Sequence, residues 1–218
     1  MDALHIIWDL DGTLINSERE VLDALIKSVR QAGLSETDQR AAFRVGPTID
    51  KILDAAFAPD VLTAEKKAAV VAAFRNNYDN CGFDHTPAFE DVEDILRDSR
   101  FVHHIVTNKP DLATGRILEK LGWKKYFASV ITPDSVMKSA ADARKSKAEL
   151  FEICMADFSG ASFVGIGDMA SDAEAARSAG IPAIGVLWGT GTKDELQAAG
   201  CARIAKTVEE LKEMLEVL

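Results

Sequence analysis

Short apolar runs that alternate with helical segments constrain the fold of this 218-residue chain more than any other feature. Continuous runs of this length, each followed by Gly, Asp or Asn, are typical of strands that are buried on both faces of a parallel sheet. The runs are Leu4–Leu10, Phe101–Val106, Ser129–Ile131, Ser162–Ile166, Pro182–Leu187 and the weaker Ala202–Ala205. They predict an α/β fold built on a parallel sheet.

Helical periodicity fills most of the spaces between these runs. The predicted core helices are Phe89–Ser99, Leu112–Leu121, Ser146–Phe158, Ala170–Ala179, Lys193–Ala199 and Val208–Leu218. Strand–helix alternation of this kind indicates a doubly wound sheet with helices on both faces and right-handed crossovers.

One region breaks the alternation, because no second apolar run appears for about ninety residues after the first. Helical patterns occupy this stretch, at Ser17–Gln31, Asp38–Arg44, Thr48–Phe57 and Ala64–Asn80. They predict an α-helical cap domain, residues 17–83, inserted into an α/β core of residues 1–16 and 84–218. Since the insertion follows the first strand, we expect it over the carboxyl edge of the sheet, where such folds bind ligands.

The charge balance and the cysteines narrow the class of protein. With 25 basic and 35 acidic residues, the net charge of -10 disfavours a nucleic-acid or anionic-membrane surface. The three cysteines are odd in number and form no CxxC motif. The first residues read as a strand and not as a signal peptide. We therefore expect a cytoplasmic protein without nucleic-acid or membrane partners. Its oligomeric state does not follow from these features, and a monomer and a homodimer both stay open.

The strongest motif is Asp9-Leu10-Asp11-Gly12-Thr13, at the carboxyl end of the first predicted strand. Two acids two residues apart on a strand point to the same face. Adjacent carboxylates repel each other, so one tends to hold a proton while the other stays ionised. The motif thus offers a nucleophile and an acid/base together.

Three weaker signals follow later predicted strands. Thr107-Asn108-Lys109 supplies a hydroxyl and an amide that can bind phosphate oxygens, and Arg144–Leu150 places lysines near the start of a helix. Asp168 and Asp172 are four residues apart in Gly167-Asp168-Met169-Ala170-Ser171-Asp172, and their hard oxygens suit Mg²⁺. All four signals fall at or just beyond the carboxyl ends of core strands, which predicts one shared site.

These motifs resemble those of the haloacid dehalogenase superfamily, specifically its phosphoglycolate phosphatase-like branch with a helical cap. The resemblance covers nearly the whole chain. It implies a phosphatase that acts on a small phosphorylated metabolite, phosphoglycolate-like or a sugar phosphate. Asp9 would be the nucleophile that forms an aspartyl-phosphate, Asp11 the acid/base and Lys145 the cationic clamp.

The same resemblance implies the binding groups. Thr107, Asn108 and the backbone N–H groups from Leu10 to Gly12 would hold the phosphoryl group.

It also implies that Mg²⁺ would be held by Asp9, the backbone carbonyl of Asp11 and Asp168. Asp172 would bind the metal directly, through water, or orient Lys145. Four aspartates and one lysine leave the site negative, so a phosphate dianion needs the metal in order to bind.

The lysine assignment departs from the family pattern. Relatives usually have prolines after the lysine, whereas Ser146 and Ala148 stand at those positions here. Lys147 is therefore the alternative to Lys145.

Other members of the superfamily provide the rival functions. A phosphomutase of the β-phosphoglucomutase type shares every core motif and is the main alternative. A dehalogenase has no need of Asp11 or a metal. A phosphonatase would place a Schiff-base lysine in the cap, for which Lys27 and Lys51 are candidates by position, and a non-catalytic relative would lack one of the motif residues.

Overall fold

The computed structural model describes residues 3–35, 43, 45, 48–137 and 143–218. The chain divides into two compact units, Met1–Asn16 with Ala88–Leu218, and Ser17–Pro87. The second unit ends four residues beyond the predicted boundary at Phe83.

The first unit contains a six-stranded sheet in the order β3-β2-β1-β4-β5-β6, with every neighbouring pair parallel. The strands are β1 (Leu4–Trp8), β2 (Phe101–Val106), β3 (Phe127–Ile131), β4 (Phe163–Gly167), β5 (Ala183–Val186) and β6 (Arg203–Ala205). This arrangement confirms the predicted α/β fold with a parallel sheet.

The strand order places β1 and β4 side by side at the centre. The chain runs outward from β1 through β2 to β3, and from β4 through β5 to β6, so the order reverses between β1 and β4. Ligands of open α/β sheets bind beyond the carboxyl ends of the strands at such a reversal. All five residues of β4 are buried, as expected for a central strand that is covered on both faces.

Helices complete the first unit. They are α4 (Val92–Leu96), α5 (Asp111–Lys120), α6 (Lys147–Ala156), α7 (Ala170–Ser178), α8 (Lys193–Ala198) and α9 (Val208–Glu216). Leu150 and Phe151 of α6 and Ala173 and Ala176 of α7 are buried in one apolar cluster with Phe163 of β4. This packing fixes the starts of α6 and α7 relative to the end of β4.

The second unit contains the helices α1 (Glu18–Gln31), α2 (Ile49–Ala56) and α3 (Ala64–Asp79). Helix α1 buries an apolar stripe that includes Val21, Leu25 and Val29. Asn77 of α3 donates a hydrogen bond to Ser28 Oγ of α1 at 2.9 Å. The unit is thus a helical layer with its own buried interior.

One predicted helix is shorter in the structure, and another lies almost entirely outside the described residues. Helix α4 is shorter than the predicted Phe89–Ser99, because Ala88 pairs with Ile15 in a β-bridge and the Phe89 N–H donates to the Leu14 carbonyl at 3.0 Å. Apart from Phe43, the predicted helix Asp38–Arg44 lies outside the described residues. Within the described part of the chain, no helix has the length and apolar character needed to cross a membrane.

Candidate active site

Two buried aspartates lie at the reversal of the sheet. Asp9 follows β1 and Asp168 follows β4, and these strands are hydrogen-bonded neighbours. Asp9 is 7% exposed and Asp168 is fully buried. Since buried carboxylates are costly unless they are paired or bind a cation, their neighbours define what the site can do.

Lys147 joins this pair to a third aspartate. Its Nζ lies 2.6 Å from Asp9 Oδ1 and also contacts Asp172 Oδ1. Lys147 is the first residue of α6, and Asp172 lies in the first turn of α7. The ends of β1, α6 and α7 therefore converge on one buried ammonium group.

Of the two lysines that the sequence offers for the clamp, Lys147 and not Lys145 contacts Asp9. Lys145 is at the surface, where its Nζ lies 2.9 Å from Glu149 Oε1 and its side chain is 45% exposed. Ser146 is the N-cap of α6 and forms a capping box with Glu149, so the helix begins at Lys147. The two lysines stand on either side of the cap residue, and Lys147 is the one directed to Asp9.

A second ion pair lies at the same edge of the sheet. Lys109 Nζ lies 2.8 Å from Asp11 Oδ1 and 2.9 Å from Asp11 Oδ2. Lys109 follows β2 and is almost fully buried. Lys109 was not among the predicted site residues, although its place at a strand end beside Thr107 and Asn108 was the signal that could have identified it.

Hydrogen bonds fix the carboxylate of Asp168 from two sides. The Thr13 hydroxyl donates to Oδ1 at 3.3 Å, and the N–H and hydroxyl of Thr190 donate to Oδ2 at 2.8 and 3.1 Å. A β-carbon at Gly12 (φ +80°) or at Gly189 would collide with this carboxylate. Glycine at both positions lets the loops after β1 and β5 close around Asp168.

Burial dominates the electrostatics of the site. It raises the pKa of Asp9, and the charge of Lys147 opposes that rise. Burial also raises the pKa of Asp168 to about 6, with Asp172 adding to the rise and hydrogen bonds from Thr190 opposing it. Burial lowers the pKa of Lys147, but Asp172 and Asp9 outweigh it and raise this pKa above its ordinary value. Further positive charge beside Asp9 and Asp168 would therefore favour their ionised forms.

Three of these carboxylates are arranged as a cation site would be. Asp9, Asp168 and Asp172 each offer an oxygen, and the three atoms lie within 4.8 Å of one another. Hard carboxylate oxygens are the ligands that Mg²⁺ prefers. The donor set and the raised pKa values of Asp9 and Asp168 both fit a divalent cation. Asp11 directs its carboxylate to Lys109, and the predicted metal ligand from this residue is its backbone carbonyl.

The predicted phosphate-binding residues surround the same edge. Thr107 is buried at the end of β2, and Asn108 beside it accepts a hydrogen bond from Arg144 through its backbone carbonyl at 2.7 Å. The carbonyl of Leu10 accepts the Leu14 N–H at 3.0 Å. The Gly12 N–H donates to the Ile15 carbonyl at 2.9 Å, so in this conformation it is used within the turn.

Comparison with known proteins identifies the family to which this chain is similar. The family model described as haloacid dehalogenase-like hydrolase matches residues 6–186. A phosphoglycolate phosphatase of Xanthomonas campestris is 30% identical over 194 residues, which cover 84% of this chain and 83% of the relative. A phosphoglycolate phosphatase of Xylella fastidiosa is 31% identical over 192 residues, which cover 84% and 80%.

Solved structures share the fold of this chain. The crystal structure of a predicted phosphatase from Clostridium acetobutylicum superposes with a TM-score of 0.82 at 21% identity, and the match covers 100% of both chains. At this identity the likeness supports the fold alone.

Proposed function

The chain belongs to the haloacid dehalogenase-like hydrolase family and is a phosphatase, and we propose that it hydrolyses a small phosphate monoester through an aspartyl-phosphate on Asp9. We infer that its substrate is phosphoglycolate-like or a sugar phosphate. The phosphoglycolate phosphatases among its relatives support this substrate class.

The contact between Lys147 and Asp9 carries the proposal. A carboxylate attacks phosphorus only when it is ionised, and burial disfavours that state. The Lys147 ammonium, 2.6 Å from Asp9 Oδ1, stabilises the charge without blocking the second carboxylate oxygen. A buried aspartate with a fixed ammonium at one oxygen is suited to act as a nucleophile through the other.

Two proton transfers complete the reaction. An Asp9 oxygen attacks phosphorus, the bond from phosphorus to the ester oxygen breaks, and the departing alkoxide takes a proton from Asp11. A water then attacks phosphorus and gives its proton to Asp11, the bond from phosphorus to Asp9 breaks, and inorganic phosphate leaves. Asp11 is suited to both steps because its side chain, 20% exposed, lies two residues from the nucleophile and within reach of solvent.

Mg²⁺ is the cofactor that we propose for this site. Asp9, Asp168 and Asp172 would hold it with their carboxylates, and the backbone carbonyl of Asp11 would add a ligand. When bound, the ion supplies positive charge that offsets the carboxylates and the incoming phosphate. The Thr107 hydroxyl and the Asn108 amide would bind the phosphoryl oxygens.

The test is an assay of phosphate release from a panel of phosphate monoesters, including phosphoglycolate and sugar phosphates. We expect the wild-type chain to release inorganic phosphate from at least one of them, and Asp9→Asn to lose about 10³-fold or more, because an amide cannot replace the nucleophile. Asp157→Asn changes an exposed aspartate and is the matched control. Isomerisation of a sugar phosphate without phosphate release would instead identify a phosphomutase.

A further inference from the structure

Lys109 and Asp11 form a partly buried ion pair in which Lys109 has no role in the proposed reaction steps. The Lys109 side chain is 3% exposed and that of Asp11 is 20% exposed. The two residues are 98 positions apart and join the loop after β1 to the end of β2. Burial of a lysine costs free energy that only good pairing offsets. A buried lysine at this position therefore indicates a structural or functional role.

The geometry restricts the carboxyl group of Asp11. Nζ lies at nearly equal distances from the two oxygens, 2.8 and 2.9 Å, which places the ammonium between them. The Lys109 N–H donates to Thr107 Oγ1 at 3.2 Å, so the backbone that carries the lysine is fixed to the end of β2. Rotation of the Asp11 carboxyl group would break one of the two contacts.

A lysine ammonium has three N–H donors and no acceptor. When Asp11 carries a proton, its O–H cannot donate to Lys109, and the oxygen without the proton accepts the ammonium. An O–H on Asp11 would therefore point away from the ammonium group, which contacts both oxygens. In this way the lysine fixes the plane of the carboxyl group and the side from which a proton can be transferred.

We propose that Lys109 is a positioning residue that fixes the orientation of the Asp11 carboxyl group toward the leaving group. This inference rests on the proposed function of Asp11 as acid/base. Proton transfer requires the two heavy atoms to be within about 2.6–3.2 Å, and a misplacement of about 1 Å can cost about 10²-fold in rate. Without Lys109 the carboxyl group can rotate, and the leaving oxygen loses its proton donor for part of the time.

The dependence on the leaving group separates this role from a merely structural one. An alkoxide is a poor leaving group and needs the proton, whereas a nitrophenolate departs without it. The ratio kcat/KM reports the steps up to and including departure of the leaving group. A variant with a misplaced Asp11 therefore loses kcat/KM for alkyl esters and keeps it for p-nitrophenyl phosphate.

The experiment measures kcat/KM for p-nitrophenyl phosphate, phenyl phosphate and glycerol phosphate. The variants are Lys109→Met, which retains the length of the stem, Lys109→Gln as a second replacement in case the first does not fold, and Asp11→Asn. Lys124→Met is the matched control, because Lys124 is an exposed lysine paired with Glu119. Thermal unfolding of each variant accompanies the rates.

The expected result is a loss of about tenfold to a hundredfold for glycerol phosphate and of less than about threefold for p-nitrophenyl phosphate in both Lys109 variants. Asp11→Asn should show the same dependence on the leaving group, and Lys124→Met none. Equal losses for all three esters in the Lys109 variants would overturn the positioning role while leaving the role of Asp11 intact. If Asp11→Asn also shows equal losses, Asp11 is not the acid, and the proposed mechanism fails together with this inference.

Discussion

Lys147 Nζ lies 2.6 Å from Asp9 Oδ1, although 138 positions separate the two residues in the chain. The contact requires the end of β1 and the start of α6 to meet at the carboxyl edge of the sheet. It is what the parallel α/β topology provides, and it makes the first turn of α6 part of the site.

Replacement of Lys147 tests the chemical value of this contact. We expect Lys147→Met to lower kcat by about 10²-fold or more, because it removes a preorganised positive charge beside the nucleophile. The free energy of unfolding should be measured in urea alongside the assay. The replacement removes the ammonium group that Asp9 and Asp172 share, and unpaired buried carboxylates destabilise a fold.

Lys145→Met is the matched comparison, two residues away. Its exposed pair with Glu149 is worth about 0.5 kcal/mol or less, so activity should stay close to that of the wild-type chain. Loss of activity in Lys145→Met together with normal activity in Lys147→Met would restore the assignment that the sequence favours.

Removal of the metal gives a second prediction. We expect EDTA to abolish phosphate release, Mg²⁺ to restore it, and Ca²⁺ to restore it poorly, because the longer and more variable coordination of Ca²⁺ displaces the ligands. Saturating Mg²⁺, at about 100 times its Kd, should also raise the free energy of unfolding by about 2.7 kcal/mol.

Asp168→Asn should remove both effects, whereas the exposed control Asp157→Asn should keep them. Full activity in a chelator, or the same Mg²⁺ stabilisation in Asp168→Asn, would contradict the assigned metal site.

The hydroxyl of Thr190 gives a third prediction. Thr190→Val removes the donor 3.1 Å from Asp168 Oδ2 and keeps the side-chain shape and the backbone donor. Groups that orient a metal ligand typically contribute 10–100-fold to metal affinity, so we expect the Mg²⁺ concentration for half-maximal activity to rise about tenfold. Thr190→Ser retains the hydroxyl and should show little change. An unaltered Mg²⁺ requirement in Thr190→Val would show that the hydroxyl does not orient Asp168.

Buried histidines give a fourth prediction, on stability. Burial lowers the pKa of His103 to about 4, and His103 accepts a hydrogen bond from Trp8 Nε1 at 3.1 Å. Because the folded pKa lies below the unfolded value of about 6.5, the unfolded chain binds the proton first as the pH falls. The stabilising effect is complete above about pH 6.5 and is lost progressively between about pH 6.5 and 4.

Urea unfolding at several pH values between about 7.5 and 4.5 measures this effect. His103→Gln removes the titrating ring and retains an acceptor for Trp8. We expect the loss of unfolding free energy over this range to be smaller in the variant by on the order of 2 kcal/mol. If the unfolding free energies of the wild-type chain and of His103→Gln fell in parallel as the pH fell, His103 would not be the source of the effect.

The sequence predicted the sheet well because a strand that is buried on both faces appears in the sequence as a continuous run of apolar residues. The run Phe101–Val106 forms β2 with the predicted bounds, and Asp9 and Asp168 meet because both follow central strands. Polar residues at the carboxyl ends of parallel strands share one edge, so their convergence follows from topology alone.

The lysines were harder to assign for a physical reason. Lys145 and Lys147 have the same chemistry, and only the start of α6 decides which of them is directed inward. The capping box of Ser146 and Glu149 is visible in the sequence and fixes the start of α6. It was therefore the feature that could have identified Lys147 as the inward lysine. Lys109 was missed because its partner Asp11 is distant in the chain, and periodicity carries no information on such a pairing.

Chemical identification of the residue that carries phosphate tests the central claim most directly. Asp11→Asn should slow hydrolysis of the phosphoenzyme, so acid quenching of this variant during turnover of p-nitrophenyl phosphate should trap the intermediate. Tandem mass spectrometry of the digested chain then locates the added phosphoryl group. The account predicts one phosphorylated peptide, with the group on Asp9, and none in Asp9→Asn. An active enzyme whose trapped phosphate lies on another residue would contradict it.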